Sequence, residues 1–331
     1  MSKKTRERFY LKKKYFKLLE ETGNSVRKQI NSIIKSQMFE IYPSMQTNLL
    51  TRFKSAKIQL RPAQIRLSYN LFQEDNLDEI ISICSAIALK ETFYYCLDDL
   101  FDTKISQEKI PLLGFPFYSM SYKLLSESGE KLSKEQLCLI NNEFYKLDYL
   151  NGQGIMLEKK LNKDSEEKYF VKAYAYNFWE QALRIGAILG NTTKQNINLM
   201  GEVGKYIGTG IIIANDTWDF GKDEMEDFQS GKYTLPIIWL ENNLKSKEKE
   251  IFTRYFGQTT LTNLQKDTVR EIVANSGAIE FGKNKAYESC KKGIKLLGQF
   301  PKSEARELLK IPINMTQKNK YFKRLEEYKI K

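Results

Sequence analysis

Two groups of carboxylates stand out for what their spacing can do. Asp98, Asp99 and Asp102 fall in Leu97-Asp-Asp-Leu-Phe-Asp102, and a second cluster, Asn215-Asp-Thr-Trp-Asp219, recurs later in the chain. On a helix, positions four apart share a face. Asp98 and Asp102 therefore project together, as do Asn215, Asp219 and, one turn further on, Asp223. Magnesium takes hard oxygen ligands, keeps several waters, and is usually held by one or two carboxylates plus the phosphate oxygens of a substrate. The spacing predicts a magnesium–diphosphate site built from two facing acidic helices, each too sparse to hold metal until the diphosphate arrives. Each cluster taken alone reads equally well as a solvated acidic face.

The flanking elements favour the metal reading. The first cluster ends an apolar run from Leu77 to Leu97 that contains Ile80, Ile81, Ile83, Ile87, Leu89 and Phe93, and the second follows Ile207 to Ala214. Both runs predict helices buried on most sides. Carboxylates at the ends of buried helices carry a desolvation penalty unless a cation is near. Apolar residues recur at three and four over 77–103, 134–160, 168–190, 195–225 and 285–298, and strand-like alternation is scarce, so the chain is predicted all-α. Polar clusters at 126–132, 162–167, 191–194, 242–250 and 258–263 read as interhelical loops. Asn76 with Glu79, and Ser133 with Gln136, have capping-box spacing. Pro236 suits the first turn of a helix.

Composition narrows the chemistry. The 331 residues include no histidine, which excludes imidazole ligands and both Ser-His and Cys-His hydrolases and leaves oxygen-ligated metal. Cys84, Cys96, Cys138 and Cys290 form no C-x-x-C pair and read as reduced core thiols. A single domain spanning 1–331 is expected, with a basic helical segment at about 1–20. Of the net charge of +12, much is crowded into Lys3, Lys4, Arg6, Arg8, Lys12, Lys13, Lys14 and Lys17. Phe9, Tyr10, Leu11, Tyr15 and Phe16 are interleaved with them. That segment reads either as a first helix packed on the body or as a basic amphipathic helix touching a membrane surface. No apolar run approaches the roughly 20 residues needed to span a bilayer, and the charged start is unlike a secretory signal, so a cytoplasmic protein is expected. No nucleic-acid recognition module is present.

Several segments, in order, carry a resemblance. Leu60-Arg-Pro62 looks like the end of a G-K-R-x-R-P stretch, Asp98-Asp-Leu-Phe-Asp102 like a first aspartate-rich motif, and Gly152-Gln153 like a G-Q segment. Leu183 to Gly190 is similar to an apolar lGAil helix, and Gly231-Lys-Tyr-Thr-Leu-Pro236 matches G-K-x-T-L-P. Together they resemble the trans-isoprenyl diphosphate synthases, or polyprenyl synthetase family, over most of the chain. The resemblance implies the isoprenoid synthase fold, a helical bundle around a central active-site cavity, commonly in a homodimer. It implies ionisation of an allylic prenyl diphosphate with about three magnesium ions bound along with the diphosphate. By resemblance, Asp98 and Asp102 hold one magnesium pair with Asp99 behind them, and Asn215, Asp219 and Asp223 hold the third ion. Lys222, Lys232 and Arg61 contact diphosphate, with Gln153 a further candidate. Phe93 and Tyr94, five and four residues before Asp98, stand where the family places rings that floor the prenyl pocket, which implies a short C10 or C15 group.

The departures bear on the second substrate. Ile58 replaces the Lys of G-K-R, the Arg pair that normally follows the first motif is absent from Thr103-Lys-Ile-Ser-Gln107, the usual Lys-Thr pair falls at Tyr174-Ala175, and Ile212 replaces a Gln. In the family the first two hold isopentenyl diphosphate. Charged hydrogen bonds are each worth about 1.5–3 kcal/mol, so their loss implies a degraded isopentenyl diphosphate site. Asn215, Asp219, Lys222 and Asp223 also look like the N-D-x-x-S-x-x-K-E motif of class I terpene cyclases. The short loop from Asp219 to Pro236 is similar to that of peptide-pheromone isoprenyl transferases. The expectation is a magnesium-dependent prenyltransferase whose acceptor is a peptide or another nucleophile. A terpene cyclase-like synthase and a non-catalytic regulatory subunit of a prenyl diphosphate synthase remain as alternatives.

Overall fold

The computed structural model describes residues 3–37, 43–55, 60–101, 109–175, 178–316 and 319–329. Among them every regular element is helical, in agreement with the all-α expectation. In chain order the α-helices are α1 (Lys3–Gln37), α2 (Pro43–Ser55), α3 (Leu60–Tyr69), α4 (Leu77–Phe101), α5 (Lys109–Glu127), α6 (Lys134–Glu158), α7 (Glu166–Ala175), α8 (Trp179–Leu189) and α9 (Lys194–Trp218). They continue with α10 (Glu226–Gln229), α11 (Leu235–Asn243), α12 (Ser246–Tyr255), α13 (Asn263–Ser276), α14 (Ala278–Leu297), α15 (Glu304–Leu309), α16 (Ile311–Thr316) and α17 (Lys320–Glu326). Contacts divide the chain into two compact units. Unit 1 comprises Met1–Lys146, Phe178–Gly201 and Phe300–Ile311; unit 2 comprises Leu147–Asn177, Glu202–Gln299 and Pro312–Lys331.

In unit 1, α1 buries Tyr15, Leu18, Thr22, Val26, Ile30 and Ile34, a stripe at every third or fourth position that a helix packed along its length must show. This is the packed-body arrangement from Tyr15 onward, while Phe9, Tyr10 and Phe16 stay exposed. α4 is the core helix, with Ile80, Ile83, Ile87, Ala88 and Leu89 almost inaccessible. The expectation that no apolar run is long enough to cross a membrane is corrected here: Leu77–Asp98 is long and apolar enough by composition. Two-thirds of that stretch is nonetheless buried inside the protein, as in a core helix. The Ser133–Gln136 capping box forms, each side chain bonding the other's backbone N–H at 3.1 Å.

In unit 2, α9 and α14 approach so closely that a methyl group at Gly210, Gly282 or Gly293 would collide with Cys290, Thr217 or Ile207. Pro236 sits in the first turn of α11 as expected. Three boundaries differ from the periodicity. The 168–190 segment holds two helices, α7 ending at Ala175 and α8 beginning at Trp179. The 242–250 loop shrinks to Leu244 and Lys245 because α12 begins at Ser246. The 195–225 segment stops being α-helical at Trp218, where Asp219–Gly221 tightens into a 3₁₀ turn and Lys222 becomes extended. Cys84, Cys96 and Cys290 are buried free thiols, whereas Cys138 is exposed.

Candidate active site

The unit 2 site grows from the C-terminal end of α9. Asp216 and Asp219 are 6% and 2% exposed, an enclosure that carboxylates tolerate only with compensation. Asp216 Oδ2 accepts a 2.7 Å hydrogen bond from the Tyr169 hydroxyl and lies 3.6 Å from the Lys172 ammonium, both supplied by α7. Asp219 Oδ1 is 2.9 Å from Lys222 Nζ, and its Oδ2 accepts the Asp227 backbone N–H at 3.0 Å. The chain folds back to make that last bond through Met225, a buried residue held at φ 50°, ψ 50°. Left-handed backbone in a bulky residue costs about 1–3 kcal/mol and persists only where its surroundings over-determine it. Further along, Gly231 takes φ 71° and the Lys232 N–H bonds the Asp227 carbonyl at 2.9 Å. Lys232 Nζ stands 3.7 Å from Glu158.

Three neighbouring carboxylates set the electrostatics. Burial and then the charges of Asp219 and Asp216 push the Asp227 carboxyl up to about 8, against the pull of Lys232 and Lys172. Burial likewise raises Asp219, although Lys222 opposes it. Burial works to lower the Lys172 ammonium, but Asp216, Glu158 and Asp227 outweigh it and hold it above the ordinary lysine value. Such a crowd favours a bound cation or a bound proton, and its lysines favour an anion beside it.

Arginines fix the loop that follows. Arg270, 3% exposed, donates to the carbonyls of Phe220 at 3.0 Å and Lys222 at 2.7 Å. Arg324 of α17 donates to the Gly221 carbonyl at 3.2 Å and pairs with Asp223 at 2.6 Å. The expected stacking of Asn215, Asp219 and Asp223 on one helical face is therefore corrected: the helix ends before Asp219. Asp223, its side chain 79% exposed, is turned to Arg324 instead. Asn215 is exposed on the last turn of α9. Gln153 is exposed on α6 and donates to the Tyr149 hydroxyl at 2.9 Å.

In unit 1, Asp98 is exposed near the end of α4, while Asp102 and the side chain of Asp99 lie outside the described residues. One turn earlier Phe93 and Tyr94 form an aromatic plug. Phe93 packs on Tyr94 and Tyr118 with centroids 5.1 and 5.0 Å away, and Tyr94 meets Phe178 at 5.6 Å. Arg61, expected on diphosphate, has its guanidinium 5.9 and 5.6 Å from the ring centroids of Phe178 and Trp179, and its Nε 3.6 Å from the buried Glu91 carboxylate.

Among the described residues no three acidic or cysteine side chains converge to hold a metal unaided. The donor set nevertheless fits magnesium, which relies on one or two carboxylates plus phosphate. The sequence reading passed over Asp216, Asp227, Tyr169, Lys172 and Glu91. Glu91, beside Lys90, is a charge inside an apolar run, and that anomaly was a usable signal. Lys172 and Tyr169 are more than forty residues from their partner Asp216 and gave none.

No family model matches the chain. A geranylgeranyl diphosphate synthase of Methanosarcina mazei is 23% identical over 257 residues, covering 71% of this chain and 77% of that one. A geranylgeranyl diphosphate synthase of Sulfolobus acidocaldarius is 21% identical over 300 residues, covering 83% and 90%. The crystal structure of a polyprenyl synthase from Caulobacter crescentus, complexed with calcium and isoprenyl diphosphate, superposes with a TM-score of 0.78 at 20% identity, covering 93% of this chain and 98% of that one. That likeness shows the isoprenoid synthase fold. The ordered motifs and these relatives support a divergent member of the trans-isoprenyl diphosphate synthase family.

Proposed function

We propose that the chain is a magnesium-dependent prenyltransferase that ionises a short allylic prenyl diphosphate, C10 or C15, and passes the prenyl group to an acceptor other than isopentenyl diphosphate. The observation that carries this reading is the gathering of buried Asp216 and Asp219 and half-buried Asp227 with Lys172, Lys222 and Lys232 in unit 2. Asp216, Asp219 and Asp227, with Asn215 beside them, and Asp98 with Asp102 in the first motif, are the residues that would hold magnesium. Bound there, the metal supplies Lewis acidity to the leaving diphosphate. The lysines donate charge-assisted hydrogen bonds to its oxygens and keep them in place as the allylic C–O bond lengthens. Tyr169 holds the Asp216 carboxylate in one orientation.

The plug of Phe93, Tyr94, Tyr118 and Phe178 supports a short prenyl group. It begins only four residues before Asp98, about 6 Å along the helix axis. Arg61 facing Glu91, together with Ile58 in place of a lysine, supports an impaired isopentenyl diphosphate site. A homodimer in the cytoplasm completes the reading. Exposed Phe9, Tyr10 and Phe16 among lysines support contact with an anionic membrane surface.

The test is mass spectrometry of products from geranyl or farnesyl diphosphate and magnesium, with and without isopentenyl diphosphate. The expected result is magnesium-dependent diphosphate release that isopentenyl diphosphate does not alter. A longer prenyl diphosphate formed only in its presence would instead make this a chain-elongating synthase.

A further inference from the structure

A cavity of about 310 Å³ opens at the surface of unit 2, in the groove where α7 and α14 flank α9. Its charged lining consists of Lys205 from α9, Lys285 and Lys292 from α14, and a single carboxylate, Glu288. Lys205 and Lys285 are half-buried, while Lys292 and Glu288 are exposed. Each ammonium stands over an aromatic ring of the same cavity: Lys205 over Tyr174 at 5.1 Å, Lys285 over Phe170 at 5.8 Å and Lys292 over Tyr206 at 5.8 Å. The groove is separate from the acidic site. On α7, Tyr169 and Lys172 reach Asp216, whereas Phe170 and Tyr174 line the cavity, about 150° further round the helix. On α9, Thr209 of the cavity wall precedes Asp216 by seven residues, about 10 Å of rise.

Three lysines less one glutamate leave the lining with a surplus of two positive charges. Glu166 approaches Lys285 from outside the lining, but at 3.7 Å and with its side chain 49% exposed, and a pair of that kind contributes little. A phosphate monoester carries close to two negative charges and three strong acceptor oxygens, so it matches both the surplus and the number of ammonium groups. Charge-assisted hydrogen bonds to phosphate are stronger than cation–π contacts at exposed sites. A phosphate would therefore draw the ammonium groups toward itself and leave the ring faces of Phe170, Tyr174 and Tyr206 to an apolar body. Aromatic walls with a few polar groups converging on one end are the usual make-up of a small-molecule site.

We infer that the groove between α7, α9 and α14 is a second binding site, for a phosphate monoester with a compact apolar body. Lys205, Lys285 and Lys292 hold the phosphate, and Phe170, Tyr174 and Tyr206 receive the body. The cavity lies at the small end of the range for ligand pockets, which limits the body to a single ring system or a short prenyl chain. Glu288, exposed beside the lysines, disfavours more highly charged anions by repulsion. Binding here requires neither magnesium nor turnover, so the site stands apart from the reaction proposed above.

The test is isothermal titration calorimetry of the full chain without magnesium, with phenyl phosphate, geranyl phosphate and inorganic phosphate as probes. One ester should bind per chain, about tenfold or more tighter than inorganic phosphate because of the buried apolar body, and more weakly as salt is added. Preference for geranyl phosphate would assign the site to isoprenoid phosphates, and preference for phenyl phosphate to aryl or nucleoside phosphates. Lys205→Met and Lys285→Met should each weaken ester binding about tenfold or more. Lys292→Glu should weaken it as well, and its exposed position leaves folding intact, which keeps the test open if the half-buried lysines prove necessary for folding. Lys222→Met combined with Lys232→Met, in the acidic site, should leave ester affinity unchanged. Absence of ester binding, equal affinity for inorganic phosphate, indifference to Lys292→Glu, or loss of binding in the Lys222→Met, Lys232→Met variant would each overturn the second site. None of these results depends on whether an allylic diphosphate is ionised.

Discussion

Replacing Arg270 with Met removes the anchor of the loop that carries Asp219 while keeping most of the side chain's bulk. Arg270 is almost fully buried and donates to two carbonyls, Phe220 at 3.0 Å and Lys222 at 2.7 Å. Hydrogen bonds from a charged donor contribute about 1.5–3 kcal/mol each. The third contact, to Asp267 at 2.9 Å, involves a carboxylate 45% exposed and adds no more than about 1 kcal/mol. Offsetting these losses against relief from burying a guanidinium leaves a destabilisation of about 3–5 kcal/mol, the size seen when one member of a buried polar pair is deleted. Urea unfolding measures that figure, and hydrogen exchange shows where it acts. The Lys222 and Asp227 amides, bonded to Asp219 by its carbonyl and its carboxylate, should lose protection before the core of α14 does. Diphosphate release should fall ten- to a hundredfold, because misplacing a liganding group by about 1 Å has consequences of that order. A variant less than about 1 kcal/mol weaker, with unaltered protection of those two amides, would refute the assignment of Arg270 as the anchor.

Three further outcomes follow from the same geometry. The Asp227 carboxyl is pushed up to about 8 in the folded chain, so the folded state retains a proton that the unfolded state releases. Without magnesium, stability should fall as pH rises from the ordinary aspartate range through about 8 and then level off; Asp227→Asn should flatten that slope, and parallel slopes in urea titrations would count against the crowding. Phe93→Ala combined with Tyr94→Ala should open the plug and admit substrates longer than C15, read by mass spectrometry of competing prenyl diphosphates; unchanged length selectivity would show the floor lies elsewhere. Phe9→Ser with Tyr10→Ser should weaken sedimentation with anionic vesicles by several-fold and leave thermal stability unchanged, because both rings are exposed; equal sedimentation would remove the membrane contact.

The helices were legible wherever an apolar stripe ran unbroken, as from Leu77 through α4 and along α9. Their ends were less so. Periodicity over 195–225 continues past Trp218 because Phe220 and Met225 are apolar and buried, yet their burial comes from a turn folding back on itself, not from helix. That is why Asp223 was placed on a face it does not share, and why Asp216 and Asp227 were overlooked. Tyr169 and Lys172 reach Asp216 only through tertiary packing of α7, which no local spacing encodes. Glu91 and Lys90 were the opposite case, since two charges inside an apolar run announce a polar contact. Lys90 finds the Tyr122 hydroxyl at 3.0 Å and the rings of Tyr118 and Phe144, while Glu91 faces Arg61.

The tether from Arg324 to Asp223 and Gly221 joins residues about a hundred positions apart. Whatever α17 gains by docking is shared with the turn at Asp219, and thermodynamic reciprocity requires that a ligand ordering that turn tighten the grip on α17 by the same factor. The helix is therefore a lever on the site as well as a brace for it: a molecule that grasped Lys320–Glu326 from outside would tune diphosphate affinity without entering the pocket.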